Sequence, residues 1–197
     1  MDVLTPEFVA FRKIPRLYRE AVISEKLDGS NAIVHIADDG TVTAGSRNRW
    51  LSAEHDNHGF YAWVQDNKDD LLSLGPGYHY GEWWGRKILR GYGLKEKRFS
   101  LFNTTRWTDD VRPSCCHVVP VLWQGPFDID AVRWTLIQLR DGGSRAAPGY
   151  MNPEGIVLFH EASNHLYKVT IEGDGKPKSI WKKEAQACTQ KILELEN

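Results

Sequence analysis

Two short apolar runs, Ala21-Val22-Ile23 and Ala32-Ile33-Val34, bracket the polar stretch Ser24-Glu25-Lys26-Leu27-Asp28-Gly29-Ser30-Asn31. Each run has the β-branched content of a strand, and Asp-Gly is turn chemistry, so the segment predicts a hairpin. Lys26 then sits at the end of the first strand, with a carboxylate two residues on and a glycine beside that. Such a lysine is either an ordinary solvated hairpin residue or a covalent nucleophile. Lysine attacks only when neutral, a form favoured by burial and by nearby cations. Gly29 removes a side chain where a ligand has to come close to the backbone.

The chain has 197 residues, enough for one domain with its own core. A net charge of −1 excludes a protein that is basic all over, but 25 lysines and arginines still allow a local basic stripe. Most of the eight tryptophans are expected in the core or in cleft walls, with some free to stack on bases. No apolar stretch approaches the ~20 residues of a membrane span, and the first residues lack a basic-then-apolar leader pattern. Cys115 and Cys116 are adjacent, which suits neither a disulfide framework nor a spaced zinc site. These features point to a cytoplasmic protein with reduced thiols.

Along the chain, Phe8, Phe11, Ile14 and Leu17 recur at helical spacing and predict a short packed segment, with Arg12, Lys13, Arg16 and Arg19 as either a solvated face or a phosphate contact. Thr41–Ala44 reads as a strand that delivers Arg47, whose forked donors suit either phosphate or solvent. Residues 54–74 predict a helix with Phe60, Trp63, Val64, Leu71 and Leu72 as its buried stripe, stopped by Gly75-Pro76-Gly77. Residues 78–85 are aromatic and strand-like, so Glu82 needs a partner among large rings: a ligand hydroxyl or an internal arginine. Residues 86–98 form a loop with six basic residues, one acid and Tyr92, suited either to solvent or to a nucleic-acid strand. In the strand 98–102, Phe99 and Leu101 share one face, and Ser100 and Phe102 the other. Residues 117–123 read as a strand. Asp128 caps a helix to about Arg140, with Val132, Leu136 and Leu139 on one side. Strands at 153–159 and 165–171 form a hairpin, and 179–197 predicts an amphipathic helix.

Six of these segments occur in a telling order: Glu25-Lys26-Leu27-Asp28-Gly29-Ser30-Asn31, Ser46-Arg47-Asn48, Gly81-Glu82-Trp83-Trp84-Gly85, Phe99-Ser100-Leu101-Phe102, Glu154-Gly155-Ile156-Val157 and Tyr167-Lys168-Val169. Together they resemble the motifs of the covalent nucleotidyltransferases (DNA ligases, RNA ligases and mRNA capping enzymes) and most closely those of the ATP-dependent RNA ligase 2 family. The resemblance spans about Ser24 to Thr170. It implies an α+β fold: an ATP-grasp-like ligase adenylation domain of antiparallel sheets flanked by helices. It also implies that Lys26 is the catalytic nucleophile. Glu25 (through its backbone), Asp28, Gly29, Asn31, Arg47, Glu82, Phe102, Glu154 and Lys168 are implied to bind the nucleotide. Glu82 takes the ribose and Phe102 stacks on adenine; Asp28 and Glu154 are the candidates to hold Mg²⁺ or Mn²⁺.

The implied activity joins a 5′-phosphate and a 3′-hydroxyl RNA end, as in RNA repair, with ATP as cofactor, through lysyl-AMP and then an adenylylated RNA end. The stretch after Thr170 is too short for an independent core. The expectation is therefore a single domain over 1–197, without an OB-fold or RNA-specificity domain, served by RNA and by an accessory protein or domain in trans. Two departures stand out. Asn103 replaces a frequent aspartate beside the stacking ring. Thr170 replaces the second lysine of a Lys-x-Lys pattern, with Lys176, Lys178, Lys182 and Lys183 downstream as substitutes. Thr170 motivates one alternative, a nucleotide- or RNA-end-binding protein that no longer seals; a further alternative is an adenylyltransferase (or DNA ligase) acting on another acceptor.

Overall fold

A computed structural model describes residues 7–172. Strands β1 (Glu20–Lys26) and β2 (Ser30–Ile36) form where the β-branched runs predict them. They do not, however, pair with each other as a hairpin. The Asp28-Gly29 turn carries the chain from one sheet to another. Strands β3 (Val42–Ser46), β4 (Gly77–Gly85), β5 (Lys97–Leu101) and β6 (His117–Val118) join β2 in a five-stranded sheet of order β3-β2-β4-β5-β6. Strands β7 (Val121–Pro126), β8 (Gly155–His160) and β9 (His165–Thr170) join β1 in a four-stranded sheet of order β7-β1-β8-β9. All pairs are antiparallel except β5 with β6.

Each sheet is covered by helix on one side only. Alternation along β2 and β4 turns Ala32, Val34, Ile36 and Trp83 inward, where they meet Phe60 and Val64 of α1 (Phe60–Asp66) and Leu71 of α2 (Lys68–Leu71). Alternation along β1 turns Ala21 and Ile23 against Val132, Leu136 and Leu139 of α3 (Ile129–Gly142). Asp128 caps α3 as expected, its carboxylate accepting from Asp130 N–H at 2.9 Å. The other faces of the two sheets look at each other across a cleft.

The single helix expected over 54–74 is broken. Residues 51–59 are loop, and α1 begins only at Phe60, its first turn held by Asp56 accepting from Tyr61 N–H at 2.7 Å. Asn67 ends α1 by donating its side chain to Trp63 O at 2.7 Å. The break turns Leu72 outward and Leu74 into the core, reversing the stripe at that end. The strand expected over 117–123 splits at Val119-Pro120, where the chain crosses between the sheets. Proline has no N–H for a ladder, and its carbonyl accepts from Glu25 N–H at 2.9 Å. Residues 7–16 carry no helix or strand, and Phe8, Phe11 and Ile14 are exposed. Helical spacing there is not matched by any surface to pack on. The amphipathic helix expected over 179–197, and Lys176, Lys178, Lys182 and Lys183, lie outside the described residues.

The two crossings lie side by side. Leu27 from the first and Val119 from the second pack with Trp84, Tyr92 and Ala147 in a third buried cluster. This cluster joins the sheets at one end of the cleft.

Candidate functional site

The cleft between the bare faces has a volume of about 1120 Å³. One wall is the β1-β8-β9 face. Residues directly opposite in an antiparallel pair project to the same side, so the ladders fix who stands beside whom. Ser24, Val157 and Lys168 form one rung; Lys26, Gly155 and Thr170 form the next. Lys26, at the last position of β1, faces the cleft from the end nearest the joint. Glu154, just before β8, accepts from Lys26 Nζ at 2.6 Å. Charge-assisted bonds of this length are among the stronger ones. The nearest partner of the lysine is thus a carboxylate. Gly155 has a steric reason: a Cβ there would lie 2.2 Å from Val169 O. Lys168 is exposed on the edge strand and makes no ion pair among the described residues.

Glu25 points the other way. Its side chain is 1% exposed and accepts from Ser144 Oγ at 2.6 Å, Arg145 N at 2.8 Å and Ala146 N at 3.0 Å. Burial raises its carboxyl above the ordinary carboxylate range, and those three bonds oppose the rise. The carboxylate pins the loop after α3 beneath β1. The sequence reading did not identify Ser144 as its partner.

The opposite wall is the β2-β4-β5 face. Asn31 and Glu82 face each other across β2 and β4. Glu82 has no arginine partner among the described residues. It accepts from Gly29 N–H at 3.0 Å and from Asn31 Nδ2 at 3.3 Å. Burial is the largest influence on Glu82 and lifts its carboxyl to about 7, against the pull of Lys26 and the Gly29 N–H. Phe99 and Leu101 enter the core, whereas Ser100 and Phe102 share the other face, as the alternation predicts. Ser100 accepts from Trp84 Nε1 at 2.8 Å, while the Phe102 ring remains 40% exposed at the cleft. Arg47 also lines the cleft, exposed and with no ion pair among the described residues. Gly29 fits only as glycine, since a Cβ would lie 2.5 Å from Trp83 O.

The loop after β4 holds the turn from below. Arg90 Nε lies 2.9 Å from Asp28 Oδ2, though without hydrogen-bond alignment, so the attraction is chiefly Coulombic. Tyr92 Oη accepts from Asp28 N–H at 2.8 Å. Tyr92 is buried against Trp84 and Tyr150. This corrects its reading as an aromatic offered to a nucleic-acid strand; Arg86, Lys87 and Lys95 of the same loop do stay exposed. Burial raises the Tyr92 phenol above its ordinary value. Sequence reasoning missed Arg90 and Tyr92 as partners of Asp28. The available signal was Gly91-Tyr92-Gly93, a ring between two glycines. All three residues have positive φ, a backbone made for a tight return rather than an open loop.

For a divalent cation the donors fit in kind. Among the described residues no group of three or more histidine, cysteine or acidic side chains is gathered. Mg²⁺ and similar ions often keep most of their waters and take only one or two carboxylates. Asp28 and Glu154 meet that need, and each already faces a cation that a metal can replace.

Comparisons with known proteins agree with this fold. The RNA ligase family model matches residues 19–170. No curated protein matches the chain. Among solved structures, the fold is similar to a Naegleria gruberi RNA ligase mutant in its apo form, at 20% identity and TM-score 0.57, covering 91% of this chain and 59% of that one. A mutant of the same ligase with AMP and Mn gives 19% identity and TM-score 0.58 over the same shares. Another with ATP and Mn gives 19% and 0.57, covering 83% of this chain and 51% of that one. The chain therefore spans somewhat over half of the solved chains it matches.

Proposed function

This chain belongs to the RNA ligase family, and from that premise we propose that it is an ATP-dependent ligase joining 5′-phosphate to 3′-hydroxyl RNA ends. The observation that carries the reading is Lys26. It ends a strand inside a nucleotide-sized cleft, hydrogen-bonded to Glu154, with Arg47 on one wall and Lys168 on the other as cations without an ion pair among the described residues. Solved relatives with ATP or AMP and Mn support nucleotide and divalent-metal use.

In this reading Arg47 and Lys168 grip phosphate oxygens, since phosphoryl transfer depends on positioning and charge neutralisation. Phe102 stacks on the base. Glu82 turns a carboxylate oxygen to a ribose hydroxyl while keeping its bond from Gly29. Lys26 Nζ, having lost a proton, bonds to the α-phosphorus of ATP as the bond to pyrophosphate breaks. The RNA 5′-phosphate then displaces Lys26 from AMP, and the 3′-hydroxyl finally displaces AMP from the activated end. Asp28 and Glu154 would hold a divalent cation, which would supply charge neutralisation at the phosphate. Glu154 engaged in that way would loosen its hold on the Lys26 amine.

No helix among the described residues is long and apolar enough to cross a membrane. A cytoplasmic site of action, and an RNA-binding segment or protein acting alongside, complete the proposal. Label transfer from α-labelled ATP to the protein, with GTP in parallel and Lys26→Ala as control, is the test. ATP-specific labelling that Lys26→Ala abolishes is expected. Labelling by GTP alone would move the chain to cap-forming chemistry. No labelling with RNA binding retained would select the end-binding alternative, for which Thr170 on the Lys26 rung is the specific observation.

A further inference from the structure

On the β2-β3-β4 face the cleft does not stop at Phe102. Phe102 N–H donates to Tyr80 O at 3.0 Å, which makes the two residues neighbours across adjacent chain segments. Tyr80 is followed by Tyr78, two positions away on the same face of β4, with ring centroids 6.2 Å apart and planes 13° from parallel. Tyr78 is followed by Trp50, with centroids 6.3 Å apart and planes at 29°. His35 backs Tyr78, with its ring centroid at 4.4 Å. Trp50 reaches this face because position 45 is glycine: a Cβ there would lie 3.0 Å from the Trp50 ring. The three large rings are 50–55% exposed, so each offers one side to the solvent. Leaving such rings bare in a row is unusual on a sheet that buries its other face completely.

We propose that Tyr80, Tyr78 and Trp50 form a stacking platform for unpaired bases of the RNA strand that enters the cleft, about one base per ring. The proposal rests on the RNA-joining reading of the cleft and extends it from the reacting end to the adjoining nucleotides. Charge favours a polyanion over a protein partner: Arg47 and Arg49 stand exposed on the turn that carries Trp50. Geometry favours unpaired bases over duplex. Near-parallel, half-exposed rings on a sheet bind splayed bases by their π-faces, a contact that tolerates any sequence. The platform is also bounded. Past the Ile36–Gly77 pair the chain turns through Asp38-Asp39, whose carboxylates repel phosphate.

The test uses the full chain and a single-stranded 5′-phosphorylated oligoribonucleotide, followed by fluorescence anisotropy. Tyr78→Ala should weaken binding roughly ten-fold and Tyr78→Ala with Trp50→Ala roughly a hundred-fold, given stacking of this kind. Tyr78→Phe should bind as the parent does. The gap between parent and Tyr78→Ala should close on an oligonucleotide carrying abasic positions. Labelling of Lys26 by ATP should stay within about two-fold in every variant, which also shows that each is folded. Equal affinity of parent and Tyr78→Ala would overturn the platform. So would tighter binding by Tyr78→Ala, or a changed oligomeric state with unchanged RNA affinity, since either means that protein covers these rings. Tyr78-dependent RNA binding in a parent that ATP does not label would instead sink the ligation reading and leave the platform standing.

Discussion

The two walls of the cleft are built to different standards. The β2-β4-β5 wall is rigid: Glu82 is fixed by Gly29 and Asn31, Trp84 by Ser100, and the opposite face is filled by Phe60, Phe99 and Leu71. The β1-β8-β9 wall is firm only as far as β1 and β8. Its outer strand β9 is exposed on both faces over His165–Lys168, and the wall presents the long charged side chains of Lys26 and Lys168. In the proposed reading one wall supplies shape and stacking surface, and the other supplies charge and the nucleophile. What joins the two walls is the cluster of Leu27, Val119, Trp84 and Tyr92. Substitutions at the joint and below β1 should therefore act through stability, and substitutions on the charged wall through rate.

Glu25 and Lys26 put that division to its hardest test, being neighbours with opposite duties. Glu25→Ala leaves the Ser144 hydroxyl and two backbone N–H groups without their acceptor in a buried place. It should cost about 4 kcal/mol of unfolding free energy, read by denaturant titration. Lys26→Ala should lie within about 1 kcal/mol of the parent, as expected for a partly exposed ion pair, even though labelling is gone. A Glu25→Ala protein of parental stability would mean that the loop after α3 is not pinned from β1. Next in size is the joint. Gly29→Ala drives a methyl group to 2.5 Å from Trp83 O and should cost about 3 kcal/mol, with labelling by ATP lost even in the folded fraction. If labelling survives, the two walls do not depend on this turn for their spacing.

What could be read in advance follows the same line. Alternation and capping are local, so β1, β2, β4, β5, β8, β9 and the Asp128 cap of α3 were legible, along with which side Phe99 and Phe102 take. The motif order brought Lys26, Arg47, Glu82, Phe102 and Lys168 to one cleft, with Glu154 bonded to Lys26. What was not legible is pairing over distance. An Asp-Gly turn between two β-branched runs looks the same whether the strands pair or diverge into separate sheets. Only the packing of Gly29 on Trp83 and Trp84, fifty-odd residues away, decides it. Tyr92 was misread for the same reason: its burial depends on Trp84 and Tyr150, not on its basic neighbours. The helix break at Asn67 turned on one side-chain bond to Trp63 O that competes with propensity.

Glu82 carries a pH signature of the rigid wall. Its carboxyl sits at about 7 rather than 4.5 because burial disfavours the charge. The native state thus holds this proton more tightly than the unfolded chain. Stability should decline as pH rises from about 4.5 through about 7, and be lowest above that window. Glu82→Gln removes the charge. It should match the parent at pH 4 and exceed it by about 2 kcal/mol at pH 8, while labelling by ATP falls. Parallel stability curves for the two proteins would show that Glu82 is already compensated by Gly29 and Asn31.

The smallest expected effect is the one that bears on the charged wall directly. Thr170 occupies the same rung as Lys26, with only the bare Gly155 between them. A lysine at 170 would project on the same face as Lys26, one rung from Lys168. Added positive charge there should stabilise the departing phosphates without altering the fold, since Thr170 ends an edge strand and is only partly buried. Thr170→Lys should therefore raise the initial rate of Lys26 labelling at low ATP by about five-fold, on the order of 1 kcal/mol in the barrier. The gain should shrink in high salt, because an exposed charge is screened. Thr170→Met, of similar length and no charge, should leave the rate unchanged. A rate that is unmoved by Thr170→Lys would mean that Arg47 and Lys168 already supply all the charge this wall contributes, and that the asymmetry between the walls does not extend to the end of β9.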